Sequence, residues 1–197
     1  ITYLAKSDHT PANLASCGKP SPMLSTSLRS TDGQAVAVGV PGEIWVSGSV
    51  VAPGYWNRTD ETAATFGADG WLRTGDVAVA STDGVWTIVD RLKDMIVTGG
   101  FNVFSREVED ALCLDPRVVA AGVVGLPDPQ WGEAVSAFVV MAAGVELTPE
   151  VVSELQDMVR QAKGAVQSPK RITAVERLPL TGLGKLDKVA LKAMAST

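Results

Sequence analysis

Histidine is all but missing. His9 is the only one in 197 residues, so a histidine-based triad or a multi-histidine metal site is excluded within this chain. His9 itself reads as a surface residue. Cysteine is nearly as scarce: Cys17 and Cys113 stand far apart without partner cysteines, which argues against a disulfide framework or a zinc site. Positive charge is not in excess. Lys and Arg number 17 against 22 Asp and Glu, a net charge of −5. That leaves no basic field for nucleic acid and no run suited to an anionic membrane. No apolar run approaches the ~18 residues of a transmembrane span. The opening stretch, ITYLAKSDHT, has neither a basic n-region nor a hydrophobic core, so it does not read as a signal peptide and the expected location is cytoplasmic. It also lacks an initiator Met and starts abruptly, which is expected of a piece of a longer protein. Whatever chemistry is present must use Lys, Arg, Asp and backbone groups.

The chain does have enough apolar residues, 46%, to pack a core. Residues 1–89 read as mostly β, with short strands parted by Asp-Gly and Pro-Gly turns such as Asp32-Gly33, Pro41-Gly42 and Asp83-Gly84. EIWVSG (43–48) and GVWTIVD (84–90) are the clearest strands, and a short helix is expected within 58–66. Trp45, Trp56, Trp71 and Trp86 are read as core anchors.

After Asp90 the pattern alternates. DMIVTGG reads as a strand entering a Gly-Gly turn. Residues 105–114 read as a helix with Ser105 as its N-cap. RVVAAGVVGLP (117–127) reads as a strand buried on both faces, and 133–142 as another strand. A helix follows, capped by Thr148 with Pro149 at N1, and Val151, Leu155, Met158 and Ala162 on one face. A strand from 171 to 178, a glycine loop and a last helix at 188–194 complete the pattern. The fold class is α+β: a β-rich subdomain over 1–89, a hinge at 90–93, and a small α/β lid domain over 94–197 whose mixed sheet is covered by helices.

The glycine loop, LPLTGLGKLDK (178–188), raises a chemical question. A P-loop needs four residues between its first glycine and the Gly-Lys pair, then Ser or Thr. Here one residue separates Gly182 from Gly184, and Leu186 follows Lys185, so this is not a Walker motif. Taken alone it reads as a tight turn with a solvated lysine.

It does not stand alone. GEIWVSGSVVAPGYWN (42–57), DGWLRTGD (69–76), DRLKDMIVTGGFNVFSREVE (90–109) and LPLTGLGKLDK occur in this order. As an ordered set they resemble the adenylate-forming enzymes, which include acyl-CoA synthetases, 4-coumarate:CoA ligases, firefly luciferase and peptide-synthetase adenylation domains. PDPQWGEAVSAFVV (127–140) is similar to the acyl-CoA synthetase pattern in particular.

The resemblance implies a two-step ligase. A carboxylic acid, expected to be a fatty acid, and ATP with Mg2+ give an acyl-adenylate and pyrophosphate. The thiol of coenzyme A then displaces AMP, and a mobile C-terminal domain presents a different face for each step. It implies that Asp76 takes the ribose hydroxyls, that Arg91 suits phosphate or ribose oxygens, and that Asn102 lies near the nucleotide. Lys93 is the implied hinge residue. Gly99 and Gly100 are where the pantetheine arm passes the backbone. Lys185 is the implied catalytic lysine, meeting the carboxylate and α-phosphate together.

Two departures are visible: Ser105 stands where relatives often have Pro, and KLDK is less basic than the KIxRR of many relatives, a difference expected to alter contacts with the CoA phosphates. The phosphate loop, the acyl pocket and the magnesium ligands are expected in a large N-terminal domain outside this chain, so the chain alone is expected to be inactive. Two alternatives stay open, an acyl-AMP ligase loading a carrier protein and a non-catalytic module derived from the family. A thiol-acceptor assay separates the first. Retention of Asp76, Arg91 and Lys185 speaks against the second.

Overall fold

In the computed structural model residues 1–195 are described. The chain forms two compact units, Ile1–Lys93 and Asp94–Thr197. Leu92–Asp94 is a single 3-10 turn at their junction.

The first unit is built on antiparallel strands. β1 (Thr2–Tyr3) pairs with β2 (Lys19–Pro20). β3 (Ser25–Arg29), β4 (Gly42–Ser47), β5 (Leu72–Ala80) and β6 (Trp86–Arg91) form one sheet in that order. The period of two along β4 and β5 puts Ile44, Val46 and Ala78 on a common core with Leu28 and Trp86. A short helix, α1 (Thr59–Thr65), lies between β4 and β5. The tryptophans divide. Trp45 and Trp86 are 7% exposed, as core anchors should be, but Trp56 is 90% exposed. Trp56 sits outside any strand, beside Asn57 in the left-handed region (φ +53°). No sheet face is available there to cover its ring.

The second unit is a mixed sheet with helices on it. Its elements are β7 (Ile96–Thr98), β8 (Phe101–Val103), α2 (Ser105–Leu112), β9 (Val118–Asp128), β10 (Gly132–Met141), α3 (Pro149–Lys163), β11 (Arg171–Ala174) and α4 (Lys188–Met194). β10 is the hub. It pairs antiparallel with β9 along its length, parallel with β11, and touches β7 at Gly132↔Thr98. Alternate residues of β9 and β10 face opposite sides. Val123, Val135, Ala137 and Val139 meet Val108 and Leu112 of α2 and Leu155 and Val159 of α3. Val124 and Phe138 meet Leu191 of α4. Burying each such aliphatic side chain contributes about 1.5–3 kcal/mol.

Four local expectations are corrected. β9 is buried across 122–125 but not throughout, because Val119 is 65% exposed. The β11 strand stops at Ala174. In α3 Thr148 does cap, its hydroxyl accepting from the Val151 N–H. The buried pair is Leu155 and Val159, one turn apart, whereas Ala162 is exposed. Ser105 is not an N-cap. Phe104 holds that place without a side-chain bond, and Ser105 is the fully buried first residue of α2. Its hydroxyl accepts from the Lys188 ammonium instead.

Candidate functional site

In the first unit the sheet itself brings Asp76 and Arg91 together. They are register partners across β5 and β6, and Arg91 Nε donates to Asp76 Oδ1 at 2.8 Å. The pair is partly exposed, with side chains 54% and 34% accessible for Arg91 and Asp76. An exposed ion pair of this kind adds only about 0–1 kcal/mol of stability. Its value is orientational: one carboxylate oxygen is held, and acceptor capacity remains on Asp76 for a further donor.

The residues before Asp76 are fixed from β4. Gly75 (φ +73°) donates its N–H to Glu43 Oε1 at 2.9 Å, and the other oxygen of Glu43 accepts from the Trp45 indole at 2.7 Å. Thr74 Oγ1 donates to the Ile44 carbonyl at 2.8 Å and accepts from the Asp76 N–H. Arg29 and Arg73 lie over Trp45, at 4.5 and 4.7 Å from its ring centroid. A cleft of about 600 Å³ opens beside this ladder, lined among others by Ser30, Tyr55, Thr74 and Gly75. The sequence signal for Glu43 is its place at the head of the GEIWV strand, but nothing there indicated that it holds Gly75.

In the second unit Gly99 and Gly100 form the two-residue turn between β7 and β8, with φ +57° and +81°. Two successive positive φ values are what a tight hairpin of this twist needs. Gly99 also lies against Trp131. Its N–H donates to the Trp131 carbonyl at 2.8 Å, and a Cβ on it would come within 2.9 Å of the indole. Lys170 lies over the same ring at 5.5 Å. Asn102 is exposed on β8, opposite Val97.

Lys185 is on a different hairpin. Leu180 and Leu186 bridge, Thr181 N–H donates to the Lys185 carbonyl at 2.7 Å, and Gly184 (φ +75°) donates to Thr181. Thr181 Oγ1 also accepts from the Lys185 N–H at 3.3 Å. The backbone of Lys185 is therefore held, while its side chain is exposed and has no hydrogen-bond or ion-pair partner among the described residues. Lys188, three places on, is the opposite: its side chain is 15% exposed and its ammonium lies 3.1 Å from Glu109 Oε1. It is an internal ion-pair partner, not part of a free basic cluster.

Residues 107–185 match the AMP-binding enzyme C-terminal domain. The chain belongs to the AMP-binding, adenylate-forming enzymes. It is 54% identical over 197 residues to the medium/long-chain-fatty-acid–CoA ligase FadD8 of Mycobacterium tuberculosis, covering 98% of this chain and 34% of the ligase. It is 42% identical over 180 residues to a feruloyl-CoA synthase of Amycolatopsis sp, covering 91% of this chain and 36% of the synthase. Among solved structures it is similar to the amide bond synthetase McbA from Marinactinospora thermotolerans, with a TM-score of 0.83, 40% identity, and coverage of 97% and 39% of the two chains. The o-succinylbenzoate CoA synthetase (MenE) from Bacillus subtilis, in complex with the acyl-adenylate intermediate OSB-AMP, gives 0.80, 33%, 92% and 36%. The chain thus spans about a third of the length of the curated relatives it matches. The α+β architecture of the chain, with antiparallel sheets and few helices, is that of its structural relatives.

Proposed function

We propose that the protein carrying this chain is an ATP-dependent acid–thiol ligase, joining a fatty acid to coenzyme A through an acyl-adenylate with release of pyrophosphate and AMP. The observation that carries the reading is Lys185: a lysine with a fixed backbone and an unengaged, exposed ammonium, just past the glycine tip of a hairpin in an AMP-binding C-terminal domain. Adenylation brings a carboxylate and an α-phosphate into contact, and both are anionic. An ammonium delivered between them offsets their repulsion and the charge that develops on phosphorus. Asp76 accepts from the ribose hydroxyls while Arg91 holds it in place and offers its remaining N–H groups to nucleotide oxygens. Asn102 adds a polar contact to the nucleotide. Gly99 and Gly100 let the pantetheine arm pass close to the backbone, with Trp131 as the wall behind Gly99.

Lys93, in the 3-10 turn where the two units meet, is the hinge in this reading, separating an N-terminal part ending at 89 from a mobile domain over 94–197. The acid is assigned as a fatty acid from the similarity to the FadD8 ligase. Magnesium accompanies ATP in this reading. Its ligands belong to the N-terminal domain that completes the site. A cytoplasmic location goes with this chemistry; among the described residues no helix is long and apolar enough to cross a membrane.

The test is a comparison of half-reactions in the full-length enzyme. Lys185→Ala is expected to slow fatty-acid-dependent pyrophosphate release by roughly 10²–10³. Thioester formation from supplied acyl-adenylate and CoA should be largely retained. Equal losses in both steps would show Lys185 to be structural, and release of AMP only with a carrier protein or an amine would reassign the acceptor.

A further inference from the structure

The hairpin that carries Lys185 is almost unsupported at its tip. Gly182 and Gly184 have no neighbour within 4 Å of where a Cβ would stand, and Leu183 is 88% exposed. The position of Lys185 is therefore set at the hairpin's roots. One root is apolar: Leu178 and Leu186 lie over Gly122 of β9, whose missing Cβ leaves them room at 3.3 Å. The other is polar. Asp187 caps α4 by accepting from Val189 N–H and Ala190 N–H. The next residue, Lys188, turns inward to Glu109 of α2 at 3.1 Å and to the buried hydroxyl of Ser105. Glu109 Oε1 also accepts from the Val123 N–H at 2.9 Å, so a single carboxylate ties α2, the edge of β9 and the start of α4 together.

We propose that Lys188 and Glu109 are a positioning pair for Lys185, fixing the root of its hairpin against α2 and β9. This rests on the reading of Lys185 as the adenylation lysine. A solvated Lys188 would do nothing for the hairpin; at 15% exposure, with two partners on α2, it is the strut that converts a flexible tip into an aimed one. Because nothing packs on the tip, displacement at the root passes undamped to the ammonium three residues earlier. Small misplacements of a reacting group have large kinetic effects, on the order of 10²-fold for about 1 Å.

The experiment separates aim from stability. Removing only one member of a buried pair strands a charge, whereas replacing both is close to neutral for folding. The double variant Glu109→Gln/Lys188→Met in the full-length enzyme is expected to keep a near-parental melting temperature. It should lose roughly 10–100-fold in the adenylation rate and form thioester from supplied acyl-adenylate at the parental rate. Lys188→Arg, which can still reach Glu109, should restore adenylation. Glu109→Asp, which keeps both charges but shortens the strut, should slow adenylation several-fold and covers the case of a double variant that folds poorly. Parental adenylation in the double variant and in Glu109→Asp, or equal loss in both half-reactions, would overturn the pair while leaving the role of Lys185 intact. If Lys185→Ala itself adenylates normally, the underlying reading falls and there is nothing to aim.

Discussion

The two glycine hairpins of the second unit look alike in sequence and are built differently. Thr98–Phe101 is a two-residue turn pressed onto Trp131, so Gly99 is needed for its backbone angle and for the space a side chain would fill. Thr181–Lys185 stands clear of the domain, so its glycines serve conformation alone, and only Gly184 has the positive φ that demands it. They are also rooted at separate places on one ribbon. The first meets β10 at Gly132, the second rests on β9 at Gly122, opposite Phe138. At ~3.3 Å per residue those points are about 20 Å apart along the strand. A packed hairpin presents a fixed backbone wall, which suits the passage of a ligand. An unpacked hairpin with an anchored root presents an exposed cation, which in the proposed reading suits delivery into a site formed elsewhere. The same residue type thus answers to sterics in one loop and to backbone geometry in the other.

The sharpest way to break this contrast is Gly99→Val. A β-branched side chain there meets the left-handed backbone penalty of about 1–2 kcal/mol and an overpacking cost of about 1–3 kcal/mol against Trp131. Urea unfolding should register the sum, and thioester formation should fall while pyrophosphate release persists. Gly100→Ala, with no neighbour to meet, should show the backbone term alone. Equal destabilisation by Gly100→Ala and Gly99→Ala would mean that Trp131 imposes nothing.

A smaller effect is expected from Gly122→Ala, on a strand with ordinary backbone. Its Cβ would stand 2.9 Å from Leu191 and 3.3 Å from Leu178 and Leu186, costing about 1–2 kcal/mol. Here the selectivity reverses: adenylation should slow and thioester formation from supplied adenylate should not. A loss confined to the thioester step would uncouple the lysine hairpin from β9.

The frame shared by both hairpins offers a control. Arg117 donates two side-chain bonds to Asp115 and one to Glu154 of α3. Chiefly through those bonds it holds the Asp115 carboxyl below the usual aspartate range, against a smaller opposing effect of burial. A depressed folded-state value means that the stabilisation is complete above the ordinary value of about 3.9 and is lost as pH falls below that toward the depressed one. The stability gap between parent and Arg117→Met should therefore be constant above about pH 5 and close on acidification below about pH 4. Both half-reactions should respond alike. A gap that widens in acid would reverse the assignment. The smallest effect belongs to Gly182→Ala, expected within about 0.5 kcal/mol of parent by urea unfolding. A loss above 1 kcal/mol would show that the tip of the lysine hairpin is packed after all.

Much of this was legible in the chain itself, because local chemistry is written locally. Asp-Gly signals marked turns of the first unit, whereas Pro41-Gly42 proved to be the entry to β4; the Thr148-Pro149 start marked α3, and the Gly-Gly pair marked a hairpin. The ordered motifs carried the family, since each is a contiguous stretch with its own backbone demand. What the sequence could not determine is every relation between residues far apart along it. Trp45 and Trp56 are the same residue type, yet only the first is covered, by Arg29 and Arg73 of the strands on either side of it. Ser105 has the residue type of an N-cap, yet the arrival of Lys188 at its hydroxyl makes it a buried acceptor. Lys185 and Lys188 are two lysines in one short basic stretch, and no local rule separates them. Only the packing of α4 onto β9 and α2, by turning one lysine inward to Glu109 and leaving the other exposed, decided which is paired and which is left in water.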